Sequence, residues 1–172
     1  MNFLNHFITI TKHRHKVIEH CFRAGIGFQG LFHDLSKYCP SEFNIGIKYY
    51  RGYKSPNDVE RTEKGYSSAW LHHQGRNKHH FEYWRDYNPK THVIEPVEMP
   101  LKYVKEMFCD RVAASKIYMG ENYTDTHPLE YFRAGKIKEL AHENTVALLE
   151  EWLIILSQKG EKEAFLHIKN LK

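Results

Sequence analysis

The chain has 172 residues, 41% of them hydrophobic and 27% charged, with a net charge of +4. That length suits one domain with a sizeable core, no apolar run is long enough to span a bilayer, and the mild basicity favours anionic small molecules over nucleic acid. The start, Met1 to Ile10, lacks a basic region and is interrupted by Asn5 and His6, so it does not read as a signal peptide.

Residues 2 to 24 read as a helix, with Phe3, Leu4, Phe7, Ile10, Val17, Ile18, Cys21 and Phe22 at roughly helical spacing and Gly25 and Gly27 ending it. A second helix is expected from about Phe28 to Lys37, with Phe28, Leu31, Phe32 and Leu35 as its apolar face and His33, Asp34 and Lys37 opposite. Pro40 opens a third helix through Tyr50. Residues 51 to 66 are polar, with Gly, Pro and Asn, and read as a long loop or lid. Ser67 to Gln74 form a short helix, and Gly75-Arg76-Asn77 turns the chain. Residues 86 to 100 hold three prolines and read as another loop. Pro100 starts a helix through about Tyr118, with Leu101, Val104, Met107, Phe108 and Val112 facing the core. A short helix to Ala134 follows Asp125 to Pro128, then a long one from about Lys138 to Gln158, ended by Gly160 and followed by a last amphipathic segment, Glu161 to Leu171. No β alternation is convincing, so the expected class is all-α. Residues 1–172 are expected to form a single domain, with residues 1–118 carrying the site motifs and 119–172 supplying packing helices.

The three cysteines, Cys21, Cys39 and Cys109, form no CxxC pair and read as reduced thiols of a cytoplasmic protein. Histidine stands out: the chain has 13, and four fall between His72 and His80. His33 and Asp34 are adjacent, and imidazole and carboxylate both ligate divalent first-row metals. Lys37, three and four residues on, lies between them on a helical wheel, where its ammonium would meet a substrate oxyanion. His13 and His15 border opposite edges of the first helix's apolar stripe, and periodicity does not choose between them. Asp110 sits at the edge of a core-facing stripe, where an aspartate needs a partner. Glu106, one turn earlier, is a candidate for orienting a ligand, and Asn77 could orient a histidine.

The order of these residues resembles the HD superfamily of metal-dependent phosphohydrolases, an all-helical fold with a histidine, a His-Asp pair and a later aspartate. HDLSK, HHQGRNKHH and EMFCD supply the elements of a branch with His-Asp-x-x-Lys, a further histidine, a His-His pair and the final aspartate, an arrangement also found in a small bacterial and phage family. The resemblance implies an HD-like helical bundle and a metal set of His13, His33, Asp34, His73, His79, His80 and Asp110. It places one histidine in the His72–His73 pair, taken here as His73. Imidazoles with carboxylates suit Mn, Fe, Co, Ni or Zn, as one or two ions, better than Mg or Ca. Asp34, Lys37 and Arg76 are the expected catalytic residues, Lys37 and Arg76 as phosphate ligands. Tyr83 or Trp84 could stack on a base. The expected activity is hydrolysis of a nucleotide or small phosphate ester. The alternatives are a di-iron oxygenase, which some superfamily members build from the same ligands, and a non-catalytic metal-binding regulatory module. The signalling branch's glycine-tyrosine-proline signature is absent after His80, which argues against cyclic-dinucleotide hydrolysis. Substrate, metal identity and oligomeric state stay open.

Overall fold

The computed structural model describes residues 2–171. Helix α1 (Asn2–Arg23) is followed by the single turn α2 (Gly27–Gly30), a 3-10 turn at Leu35–Tyr38, α3 (Pro40–Tyr49), α4 (Pro56–Lys64) and α5 (Ser68–Gln74). A hairpin, β1 (Arg85–Asn88) and β2 (Val93–Pro96), precedes α6 (Leu101–Met119), α7 (His127–Ala134), α8 (Ile137–Leu140) and α9 (Glu143–Asn170). The architecture is mainly α with one small sheet. No helix among the described residues is long and apolar enough to cross a membrane.

The core lies between α1, α6 and α9. Val17 and Cys21 of α1 meet Val104, Phe108 and Val112 of α6 and Leu149, Trp152, Leu153 and Phe165 of α9, all buried. These apolar residues hold α1 and α6 side by side, which sets the distance between His13 and Asp110. Truncating Trp152 to Ala would cost about 3–5 kcal/mol, the usual scale for an emptied aromatic site. Gly160 (φ 80°, ψ 171°) breaks α9 within its span, so the expected stop at this glycine is a kink and the helix resumes.

Three expectations are corrected. The helix expected from Phe28 to Lys37 does not form. Asp34 adopts the left-handed region (φ 54°, ψ 26°) and separates α2 and its following turns from the 3-10 turn. Phe28, Leu31, Phe32 and Leu35 are exposed, whereas His33 and Asp34 are each 1% exposed; this segment turns its polar side inward. Gly30 makes that possible, because a Cβ there would lie 2.5 Å from Cys21 Cβ on α1.

The loop expected over residues 51 to 66 contains α4. Pro56 occupies its first turn and Gly65 (φ 81°) closes it. The buried Glu60 carboxylate accepts hydrogen bonds from the Ser67 and Ser68 hydroxyls at 2.8 Å each, anchoring this polar helix to the start of α5. Thirdly, residues 86 to 100 are not all loop. Arg85 pairs with Pro96 and Asn88 with Val93 in an antiparallel ladder, and the turn is closed by the His92 amide donating to the Asn88 carbonyl at 2.8 Å.

Candidate metal centre

Asp34 is the residue through which the site is joined. Its left-handed backbone is sparsely populated for a residue with a side chain, and aspartate tolerates it better than most. This conformation places the carboxylate between two groups of imidazoles. One oxygen, Oδ2, lies 3.3 Å from His33 Nε2 and 3.9 Å from His13 Nε2. The other, Oδ1, lies 3.3 Å from His73 Nε2 and 3.4 Å from His79 Nε2.

Helices α1 and α6 complete the first group. Asp110 Oδ1 lies 2.9 Å from His13 Nε2 and 3.6 Å from His33 Nε2. The turn after α5 completes the second, with His80 Nε2 facing His73 Nε2 at 2.9 Å. His13, His33, Asp34 and Asp110 each offer one donor atom within 4.8 Å of the others, and so do Asp34, His73, His79 and His80. The seven residues expected as ligands therefore come together around one shared carboxylate. His72 points elsewhere, to Glu42 Oε1 at 2.6 Å and Ser41.

Two further carboxylates orient the imidazoles. Glu106 Oε1 accepts from Nδ1 of His33 at 2.8 Å and lies 3.2 Å from Nδ1 of His79. Glu42 Oε2 accepts from Nδ1 of His73 at 2.8 Å. A proton held on Nδ1 leaves the Nε2 lone pair facing the centre, the arrangement that a metal-ligating histidine needs. Glu106 was legible as an orienting group one turn before Asp110. Glu42 was not, because it is 31 residues from His73 and carries no local pattern beyond its place in the first turn of α3. Asn77 donates to Ser36 Oγ and to the His73 carbonyl, both at 2.8 Å, so it fixes the turn that presents His79 and His80.

The buried atoms His13 Nε2, His33 Nε2, His79 Nε2 and both Asp34 oxygens make no well-aligned hydrogen bond, although Asp34 Oδ2 is ion-paired with Lys37 and His13 Nε2 lies against Asp110. Buried polar atoms without aligned partners are costly and uncommon, and here five of them converge. Cations between them would give each of these lone pairs an aligned partner. Burial opposes ionisation of Asp34 and Asp110, but the surrounding imidazoles, with Lys37 beside Asp34, outweigh it and hold both carboxyls well below the usual range. Glu106 is likewise penalised by burial, yet its bonds to His33 and His79 bring it down to about 2. The centre is thus rich in ionised carboxylates.

Lys37 Nζ lies 2.6 Å from Asp34 Oδ2. Burial lowers the Lys37 pKa, but Asp34 and Asp110 overcome this and keep it above its ordinary value. It reaches Asp34 across the 3-10 turn and not along a helical wheel. Arg76 does not join the cluster: it is exposed, and its one side-chain hydrogen bond among the described residues goes to the His72 carbonyl at 3.4 Å. Trp84 packs on Tyr103 and donates to the Lys78 carbonyl at 2.7 Å, so it takes the packing role. The aromatic residue at the centre is Trp70, whose ring lies 4.7 Å from His80 and 5.6 Å from His73.

Fold and site together define a mainly helical protein with a buried cluster of histidine, aspartate and glutamate that could hold a metal ion. The chain belongs to the family described as "Family of unknown function (DUF5662)", which matches residues 2–155. No curated protein and no solved structure matches it.

Proposed function

We propose that this protein is a metal-dependent phosphohydrolase acting on a nucleotide or small phosphate ester. The observation that carries the reading is Asp34, whose two oxygens each face a separate set of imidazoles, with Lys37 as an ion-pair partner on one of them. His13, His33 and Asp110 would hold one divalent transition metal (Mn, Fe, Co, Ni or Zn) with Asp34 as the shared ligand, and His73, His79 and His80 would hold a second. When bound, such ions supply Lewis acidity and a water acidified toward neutrality.

The chain's own residues do the rest. Glu106 and Glu42 fix the imidazole tautomers and ring angles. Lys37 offers a permanent positive charge at the Asp34 side of the centre, where charge builds on phosphoryl oxygens during attack. The 1–2% exposure of His33, Asp34, His73 and His79 excludes bulk water, which strengthens each of these interactions.

The five imidazoles around the shared carboxylate also suit oxygen chemistry at paired iron ions, the second reading. A panel of phosphomonoesters, phosphodiesters and nucleotides, assayed with Mn, Co, Ni, Fe or Mg, separates the two. The first reading expects turnover that is lost in Asp110→Ala. Oxygen uptake by the iron-loaded, reduced protein, with no phosphoester consumed, would replace it with the second.

A further inference from the structure

A pocket lies between α1, α3 and the start of α4, outside the imidazole cluster but touching it. Two of its lining residues also belong to the centre. Lys37 Nζ lies 2.6 Å from Asp34 Oδ2, and Glu42 Oε2 accepts from His73 Nδ1 at 2.8 Å. From these two the pocket extends along α1 past Ile10 and Thr9 to His6. His6 and His13 are both buried on α1, seven residues apart, which is about 10 Å along the helix axis.

The wall carries hydrogen-bonding atoms that the chain itself leaves free. His6 is 6% exposed, its Nδ1 is buried without a partner, and neither ring nitrogen is hydrogen-bonded among the described residues. Gly46 gives this ring its place, since a Cβ there would run into His6 Nε2. Burial, with Lys37 nearby, holds the ring's pKa down to about 4, so at neutral pH it offers one N–H donor and one lone pair. Thr9 Oγ1 donates to the Asn5 carbonyl at 2.9 Å and therefore accepts from the Tyr50 hydroxyl, also at 2.9 Å. The Tyr50 oxygen keeps its own lone pairs for the pocket. Asn57 Oδ1 receives only a long contact from Ser67 Oγ at 3.5 Å, and its NH2 donates to nothing among the described residues. Lys54 and Tyr118, both exposed, stand at the rim.

Neutral donors and acceptors side by side suit hydroxyl groups, because each hydroxyl both donates and accepts. The one half-buried cation in the lining, Lys37, is already paired with Asp34. The His6 and Tyr50 rings pack on one another (5.9 Å, 68°), and His6 also packs on Phe43 (5.3 Å), which leaves these rings occupied and not open to a flat base. We propose that this pocket binds the alcohol part of a phosphorylated sugar or polyol whose phosphate lies at the metal centre, with His6, Tyr50 and Asn57 as specificity-determining residues. The inference rests on the phosphohydrolase reading and narrows its substrate. Water attacks phosphorus, the P–O bond to the sugar breaks with its electron pair on the sugar oxygen, and that oxygen takes up a proton. The products are the free alcohol and inorganic phosphate.

The test compares a hexitol monophosphate, a pentose monophosphate, adenosine monophosphate and phenyl phosphate as substrates of the metal-loaded protein, with melting temperatures measured in parallel. Saturation-transfer NMR of the hexitol monophosphate in chelator reads binding without turnover. The hydroxylated esters should have the highest kcat/KM. Asn57→Ala and Tyr50→Phe should each lower the ratio of kcat/KM for hexitol monophosphate over phenyl phosphate by roughly 3- to 10-fold, the scale of one lost hydrogen bond, mainly through KM, and should weaken the saturation transfer. His6→Phe should do the same, and the other two variants carry the test if it does not fold. An unchanged ratio in both Asn57→Ala and Tyr50→Phe overturns the proposal, and so does a preference for adenosine monophosphate over the sugar esters. Saturation transfer that depends on Asn57 and Tyr50 while no phosphoester turns over would sink the phosphohydrolase reading and leave the sugar-binding pocket standing. Neither turnover nor transfer would sink both.

Discussion

Glu106 Oε1 accepts the Nδ1 proton of His33 at 2.8 Å, so a carboxylate outside the cluster decides which imidazole nitrogen faces Asp34. Replacing it by Gln keeps a hydrogen-bond acceptor but removes the charge that fixes the tautomer. Glu106→Gln is expected to fold and to lose roughly 10- to 100-fold in metal affinity. A chelator-competition titration measures this, and affinity equal to wild type would remove Glu106 from the account.

Asp34 separates backbone from charge. Asn tolerates the left-handed region about as well as Asp, whereas Ala does not. Asp34→Asn should therefore lose metal while keeping most of its metal-free stability. Asp34→Ala should lose metal and a further roughly 1–3 kcal/mol, the scale of a strained backbone position. Urea unfolding in chelator compares the two. Equal stability would mean that the φ of 54° imposes no cost.

Lys37→Met keeps much of the side-chain length and removes the charge. Metal content should not fall, because a charged lysine has no lone pair to donate. Phosphoester turnover should drop by roughly 10²-fold or more. Loss of metal with turnover per bound metal unchanged would make Lys37 a structural counter-ion of Asp34.

His20 predicts a pH dependence outside the cluster. It is 0% exposed, and its Nδ1 lies 3.2 Å from the Cys109 carbonyl. Burial holds its pKa down to about 4, against 6.5 for a histidine in the unfolded chain. Between these values the unfolded chain binds a proton and the folded chain does not. Stability from this group is complete above 6.5, falls as pH drops toward 4, and levels off below, with a slope of about 1.4 kcal/mol per unit. His20→Gln should flatten that slope in part, since buried His6, also near 4, titrates in the same window. Urea melts in chelator at several pH values test this; an unchanged slope would mean that His20 is protonated in the folded state.

The sequence made some of this legible and hid the rest for physical reasons. Helices α1, α3, α5 and α6 were readable because each has either an apolar stripe or a proline or serine at its start. The His33-Asp34 break was not, because helical periodicity assumes that the polar side faces water. Here His33 and Asp34 are inside and Phe28 and Phe32 outside. Helix α4 was hidden by its polarity, since Glu60 binds it to α5 through Ser67 and Ser68 and not through apolar contact. The His33-Asp34 pair, the histidine cluster and Asp110 stood out by type and position, whereas the choice of His13 over His15 and of His73 over His72 came from the family resemblance and not from periodicity. Glu42 was not readable, because what distinguishes it is a partner, His73, gained across the fold.

The central claim is that the cluster around Asp34 binds metal. Elemental analysis of the protein purified without added metal, paired with melting curves before and after chelation, tests it most directly. The account predicts about one to two transition-metal ions per chain and a melting temperature that falls on chelation and recovers on reloading, since ligand binding to the folded state is folding free energy. Protein that is metal-free as purified, takes up none of Mn, Fe, Co, Ni or Zn, and melts identically with and without chelator would contradict it.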